Sequence, residues 1–235
     1  TKAQFIKTIP MINYAIKNKY SVTVVDLKQH PEKTISLISK INGEYSYLEF
    51  LENKKDIGTY LGLLKWTFII CLKIIFKKEK IFSNNLAIVH GDTLSTLLGA
   101  FLIRRNKGKL VLLEAGLGFP GMFKHFPESF IRLYVSKFSH FLIANGEDQI
   151  NQLKTWGVRG NIIEISRNTI YDSLDLVGLE QTENKREVVI SIHRTENINS
   201  KDNMKSLINV ISNIKESYDV SWYLHIPTKN KLKSF

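Results

Sequence analysis

LAIVHGDTLSTLLGAFLIRRNKGKLVLLEAG (86–116) decides the fold. Two short apolar runs, LAIVHG (86–91) and KLVLLEA (109–115), flank the helical stretch TLSTLLGAFLIRRN (93–106). Apolar runs bounded by turn residues and joined by an amphipathic stretch of about 10–15 residues mark a parallel β-α-β unit. Downstream the pattern repeats: a helix at ESFIRLYVSKF (128–138), a strand at HFLIAN (140–145), a helix at EDQINQLKTWG (147–157), a strand at NIIEIS (161–166) and a short helix at TIYDSLDLV (169–177). Upstream, a helix over about 2–17 leads to a strand at YSVTVVDL (20–27). An irregular region follows, with a short strand near 45–50 and then a long helix over about 58–80. The predicted class is α/β, with a Rossmann-like parallel sheet.

The polar stretch GLEQTENKRE (178–187) then breaks the pattern, and a new β-α-β unit begins with VVISIH (188–193), a helix from Lys201 and SWYLHI (221–226). The expected division is a first domain over 1–178, a linker over 179–186 and the start of a second domain over 187–235. The chain is read as a piece of a two-domain protein, truncated at both ends. With so few strands behind it, LINVISNI (207–214) is expected to keep an apolar face exposed.

Composition narrows the function classes. The 235 residues carry 33 Lys+Arg against 22 Asp+Glu, a formal charge of +11, with 43% hydrophobic residues. Disorder and low-complexity classes are excluded. The single Cys71 excludes an internal disulfide or a multi-cysteine zinc site and suits a reducing, cytoplasmic setting. TKAQFIKTIP (1–10) has no apolar signal core. LGLLKWTFIICLKIIF (61–76) is too short for a membrane span and carries Lys65 and Lys73, eight apart on one face. It is expected to be a buried helix with one wet stripe. The basic residues are scattered or concentrated at KIIFKKEK (73–80) and KNKLKS (229–234), and no stretch interleaves them with aromatics as a single-strand groove would. Nucleic-acid binding is therefore a runner-up rather than the expectation, and anionic ligands such as nucleotides fit the charge.

Ligands of open parallel sheets bind beyond the carboxyl ends of the strands. Three predicted strands end in ionisable residues there: His90 and Asp92, then Glu114, then His193 and Arg194. Taken alone, Asp92 before TLST reads first as a helix N-cap. Glu114 directly after LVLL is harder to dismiss, because a carboxylate there is desolvated unless paired. GLGFPG (116–121) matches G-x-G-x-x-G literally. Pro120 sits inside it and no acidic residue follows about 20 positions on, so a dinucleotide fingerprint is rejected. There is no Walker A, H-E-x-x-H or G-x-S-x-G sequence, and the six histidines lack ligand spacing, so no metal or cofactor is expected.

In order along the chain, these segments resemble the UDP-N-acetylglucosamine 2-epimerases. TKAQFIKTIP is similar to their opening Thr-Arg-Pro-Glu-x-Ile-Lys, which matches Lys7 and sets Lys2 in place of arginine. VHGDTLSTLLGA and LEAGL resemble the next two strand ends, and PESFIR (127–132) resembles Pro-Glu-Glu-x-Asn-Arg. RNTIYDSL (167–174) is similar to Gly-Asn-Thr-x-x-Asp-x-Leu, SIHRTEN (191–197) to His-Arg-x-Glu-Asn, and WYLHIPTKN (222–230) to the strand and loop beyond. Gly118 stands where the family has arginine, Ser129 and Ile131 where it has glutamate and asparagine, and Arg167 where it has glycine.

The resemblance implies a glycosyltransferase-B type fold, a UDP-sugar substrate and a homodimer. It also implies a route in which UDP is eliminated to leave a 2-acetamidoglucal and is then added back with C2 inverted, for surface polysaccharide synthesis. By the same resemblance Asp92, Glu114 and Glu128 are the carboxylates, Arg132 and His193 lie on the phosphate side, and Lys2, Lys7 and Arg194 bind substrate. Which carboxylate is acid and which is base stays open. So do a hydrolysing variant that releases UDP and N-acetylmannosamine, and a glycosyltransferase on the same scaffold. The first family strand is expected before Thr1 and the uridine and phosphate grip after Phe235, so this chain alone is expected to be inactive.

Overall fold

A computed structural model of the chain describes residues 2–76, 80–118, 127–176, 186–192, 200–224, 228–229 and 232. Two compact units divide it, 1–179 and 180–235.

In the first unit, α1 (Lys2–Lys17), β1 (Thr23–Asp26), α2 (Pro31–Ile38), β2 (Ser46–Glu49) and α3 (Tyr60–Phe76) precede β3 (Leu86–His90). There follow α4 (Leu94–Arg105), β4 (Lys109–Leu113), α5 (Glu128–Phe138), β5 (Phe141–Ala144), α6 (Glu147–Thr155), β6 (Asn161–Glu164) and α7 (Ile170–Asp175). All strand pairs are parallel, in two hydrogen-bonded groups: β1 with β2, and β3-β4-β5-β6 in sequence order. β4 is buried from Leu110 to Leu113, as befits a central strand covered on both faces. A shared core joins the groups, with Leu27 and Phe50 beside the shorter sheet and Leu98, Leu110 and Leu142 in the longer one.

α3 links them. Trp66, Ile70 and Ile74, spaced four apart, form its buried stripe. The Trp66 indole N–H donates to the Leu27 carbonyl (2.8 Å) and Lys73 Nζ donates to the Phe50 carbonyl (2.8 Å). Burial is narrower than the sequence suggests. Leu61, Leu64, Phe68, Ile75 and Phe76 are exposed on the outer side, because the helix is apolar all round but packs on one face. Among the described residues no helix is long and apolar enough to cross a membrane.

In the second unit β7 (Glu187–Ile190) pairs in parallel with β8 (Asp219–Trp222), with α8 (Lys201–Lys215) between them in sequence. The Ser200 hydroxyl caps α8 by accepting from the Asn203 N–H (3.2 Å). Met204 is its one buried residue, while Ile208 and Val210 are exposed.

Candidate active site

His90 lies in register with Leu113, and the Gly91 N–H donates to the Leu113 carbonyl (3.2 Å). Asp92 and Glu114 therefore leave adjacent strands at the same, carboxyl, end. The chain turns sharply after β4: Glu114 has φ +54° and Gly116 φ +78°. A side chain at Gly116 would run into the Gln149 carbonyl. A left-handed non-glycine residue costs on the order of 1–3 kcal/mol and is found where surrounding structure enforces it.

That structure comes from both ends of the unit. Lys7 Nζ of α1 lies 2.6 Å from Glu114 Oε1, and the Asn168 amide donates to the same oxygen. The Glu114 side chain is 9% exposed. Burial alone would raise its pKa. The hydrogen bonds from Lys7 and Asn168, together with the Lys7 charge, outweigh burial and hold the carboxyl below its ordinary value. His90 Nδ1 stands 3.8 Å from Glu114 Oε2, beyond hydrogen-bond length. Neither His90 ring nitrogen has a partner among the described residues. Burial pushes the His90 pKa down to about 4 against the pull of Glu114, with Lys7 adding to the drop.

A second ion pair lies alongside. Arg132 of α5 holds Asp92 (Nη2 to Oδ2, 2.6 Å) and donates through Nη1 to the Leu117 carbonyl (2.7 Å) in the loop after β4. Thr93, not Asp92, occupies the N-cap position of α4. Its hydroxyl donates to Gln4 Oε1 (3.0 Å), while Gln4 Nε2 donates to the Thr96 hydroxyl (3.3 Å). Thr96 in turn donates to the His90 carbonyl (2.7 Å). α1 is thus tied to the turn after β3 by Gln4 and to the turn after β4 by Lys7. The Ser173 hydroxyl of α7 donates to the Ile6 carbonyl (3.0 Å) and fastens its far side.

Of the expected residues, the fold brings Lys7 to Glu114 and Arg132 to Asp92, at neighbouring strand ends. Glu128 is exposed in the first turn of α5, while Arg132, one turn further on, reaches Asp92. Lys2 is exposed on α1. His193 and Arg194 lie outside the described residues. Arg167, where the resembled family has glycine, forms an exposed ion pair with Asp172 (3.1 Å). Sequence reasoning passed over Asn168, and it named His90 as an ionisable strand end without giving it a role in the site. Both sit in the quoted motifs RNTIYDSL and VHGD, which was the available signal, but nothing in their spacing shows that they face Glu114.

A buried carboxylate kept ionised, a second carboxylate and two cations can together exchange a proton and hold a departing anion. Comparison with known proteins agrees in kind. The family model described as UDP-N-acetylglucosamine 2-epimerase matches residues 20–234. A UDP-N-acetylglucosamine 2-epimerase of Methanocaldococcus jannaschii is 29% identical over the whole of this chain and 66% of its own length. The chain thus spans just under two thirds of the length of such curated relatives. The Neisseria meningitidis 2-epimerase bound to UDP-GlcNAc superposes with a TM-score of 0.75 at 21% identity, over all of this chain and 67% of that one. The Methanocaldococcus jannaschii enzyme in complex with UDP-GlcNAc and UDP gives 0.72 at 23%, again over 100% and 67%. These likenesses establish the glycosyltransferase-B type fold. With the match extending over nearly all of the sequence, the chain belongs to the UDP-N-acetylglucosamine 2-epimerase family.

Proposed function

We propose that the gene product carrying this chain interconverts UDP-N-acetylglucosamine and UDP-N-acetylmannosamine, in the supply of surface polysaccharide. Residues 1–178 are assigned as the first Rossmann-like domain, 179–186 as a linker and 187–235 as the start of the nucleotide-binding domain. The C2 proton of the sugar has no adjacent carbonyl, so direct abstraction is too unfavourable. In the proposed route a carboxylate takes the C2 proton as the C1–O bond breaks. The electron pair leaves with UDP, and a glucal double bond forms between C1 and C2. Re-addition reverses this, with the diphosphate oxygen rejoining C1 and a proton delivered to the other face of C2.

The observation that supports this most is the buried, ion-paired Glu114 at the strand end beside the Asp92–Arg132 pair. Lys7 and Asn168 keep Glu114 ionised and oriented, as a base requires. Arg132 is assigned to the departing diphosphate, with His193 and Arg194 on the same side, and Asp92 and Glu128 as the further carboxylates. Lys2 is assigned to substrate. A homodimer is the proposed assembly, supported by the exposed apolar side of α3, and light scattering in solution reads it directly.

The test is incubation of the gene product with UDP-N-acetylglucosamine in deuterated water. Deuterium at C2 of recovered nucleotide-sugar, abolished in Glu114→Gln, supports the reading. Absence of exchange in the unaltered protein overturns it. NMR of the products separates UDP-N-acetylmannosamine from free N-acetylmannosamine, the mark of a hydrolysing enzyme.

A further inference from the structure

At the carboxyl ends of the strands, the buried and half-buried cations are paired with acids: Lys7 with Glu114, Lys28 with Asp26 and Glu49, Arg132 with Asp92. The amino ends of the longer sheet, away from Asp92 and Glu114, are different. There an open cleft of about 400 Å³ runs along the first residues of β4, β5 and β6. Its lining includes Arg104, Lys109, Lys137 and Arg159, and no Asp or Glu. None of the four forms an ion pair among the described residues. Arg104 and Lys137 end α4 and α5, where helix dipoles favour cations. That accounts for two of the four and leaves Lys109 and Arg159, which begin or precede strands.

Three details make the cleft more than a basic surface. The Arg104 guanidinium lies 5.8 Å from the Phe138 ring centroid, which restricts its position before any ligand arrives. The Leu110 N–H donates to His140 Nδ1 (3.0 Å), so that nitrogen is an acceptor and the ring proton sits on Nε2. Burial, with Arg104 and Lys109 close by, lowers the His140 pKa, so the ring stays neutral near pH 7 and its remaining N–H is a fixed donor in the lining. Finally, Gly160 sits where any side chain would run into the Ser139 carbonyl, so the loop bearing Arg159 lies tight against the start of β5.

We propose that this cleft binds the polyphosphate group of a small molecule, at a site separate from the strand ends that carry Asp92 and Glu114. Four cations match the three to four charges of a triphosphate, whereas a lone carboxylate would leave most of them uncompensated. Arginine forks and lysine ammonium groups both suit phosphate oxygens. The volume lies in the range of small-molecule sites, about 300–1,000 Å³. An inorganic chain and a nucleoside triphosphate share this chemistry.

Calorimetric titration of the full chain with inorganic triphosphate, and separately with ATP, tests the proposal. About one equivalent should bind, with affinity falling as salt rises. Lys137→Ala combined with Arg159→Ala, both exposed side chains, should weaken it about tenfold or more. Arg132→Ala should leave it unchanged. Equal affinities assign recognition to the phosphates alone, and tighter ATP binding adds a contact to the nucleoside; either supports the site. Absence of binding at about 1 mM, indifference to the double substitution, or loss in Arg132→Ala overturns it. Tighter binding of single-stranded oligonucleotides, growing with length and lost in the same double variant, also overturns it, because the surface would then be a nucleic-acid groove. The outcome is independent of the epimerase reading, whose assay uses Glu114.

Discussion

Glu114 combines a left-handed backbone with a carboxylate removed from water, and Lys7 offsets the second of these costs. Replacing Lys7 with methionine keeps the stem and removes the charge. It should destabilise the fold by about 1–3 kcal/mol at neutral pH, because a buried ionised group loses its main partner. The sign with pH follows from the lowered Glu114 pKa. Its stabilising contribution is present above the unfolded-state value and is lost as pH falls through the folded one. Urea unfolding of Lys7→Met should thus show its largest penalty near neutral pH and a shrinking one as pH falls through the folded Glu114 value; a penalty independent of pH would mean that Lys7 acts through packing alone. His90 gives a second handle. Its folded pKa of about 4 lies below the ordinary 6.5, so the unfolded chain binds the extra proton between those values. Stability should fall as pH drops from about 6.5 to about 4. In His90→Met, which also removes two unpartnered buried nitrogens, that part of the slope should disappear, and an unchanged slope would assign it to other groups.

At the scale of elements, α3 decides how the β1–β2 pair joins the longer sheet. Its Trp66 hydrogen bond to the Leu27 carbonyl is buried on both sides. Trp66→Phe should cost about 1–3 kcal/mol, read as a lowered denaturant midpoint, because that carbonyl is left without its partner. A shift below about 0.5 kcal/mol would show the carbonyl finding water instead. The elements themselves were largely legible, because 86–176 alternates apolar runs with amphipathic stretches and each strand is bounded by turn residues. α2 was not. PEKTISLI is only eight residues long, and its start is marked by Pro31 at the first helical position rather than by an apolar period. The exposed side of α3 was misjudged for the opposite reason: a helix apolar all round does not say which face its neighbours cover. The candidate site was legible in part. The ends of β3 and β4 named Asp92 and Glu114, since strand ends follow from the alternation. Their partners Arg132 and Lys7 lie about 40 and 107 residues away in sequence, and only the assembled sheet, with α1 laid across its carboxyl end, brings them close.

For the molecule as a whole, burial is unevenly shared between the two units. The first holds a continuous core in which Leu98, Leu102, Leu110, Leu112, Val135 and Leu142 are all but inaccessible. In the second, the buried residues among those described are Met204 and Thr228. Opening free energy tracks such burial, so the units should differ in protection although both contain parallel strands and a long helix. In native-state hydrogen exchange of the full chain, amides of β4 and β5 should exchange through the rarest openings. Those of α8 and the β7–β8 pair should exchange orders of magnitude sooner, at denaturant concentrations that leave β4 untouched. Thermal unfolding should accordingly deviate from a single two-state transition. Equal protection of α8 and β4 would reverse this reading. It would mean that something covers Ile208 and Val210 in solution, and dilution of the sample then discriminates, since protection borrowed from a second copy falls with concentration while protection within one chain does not.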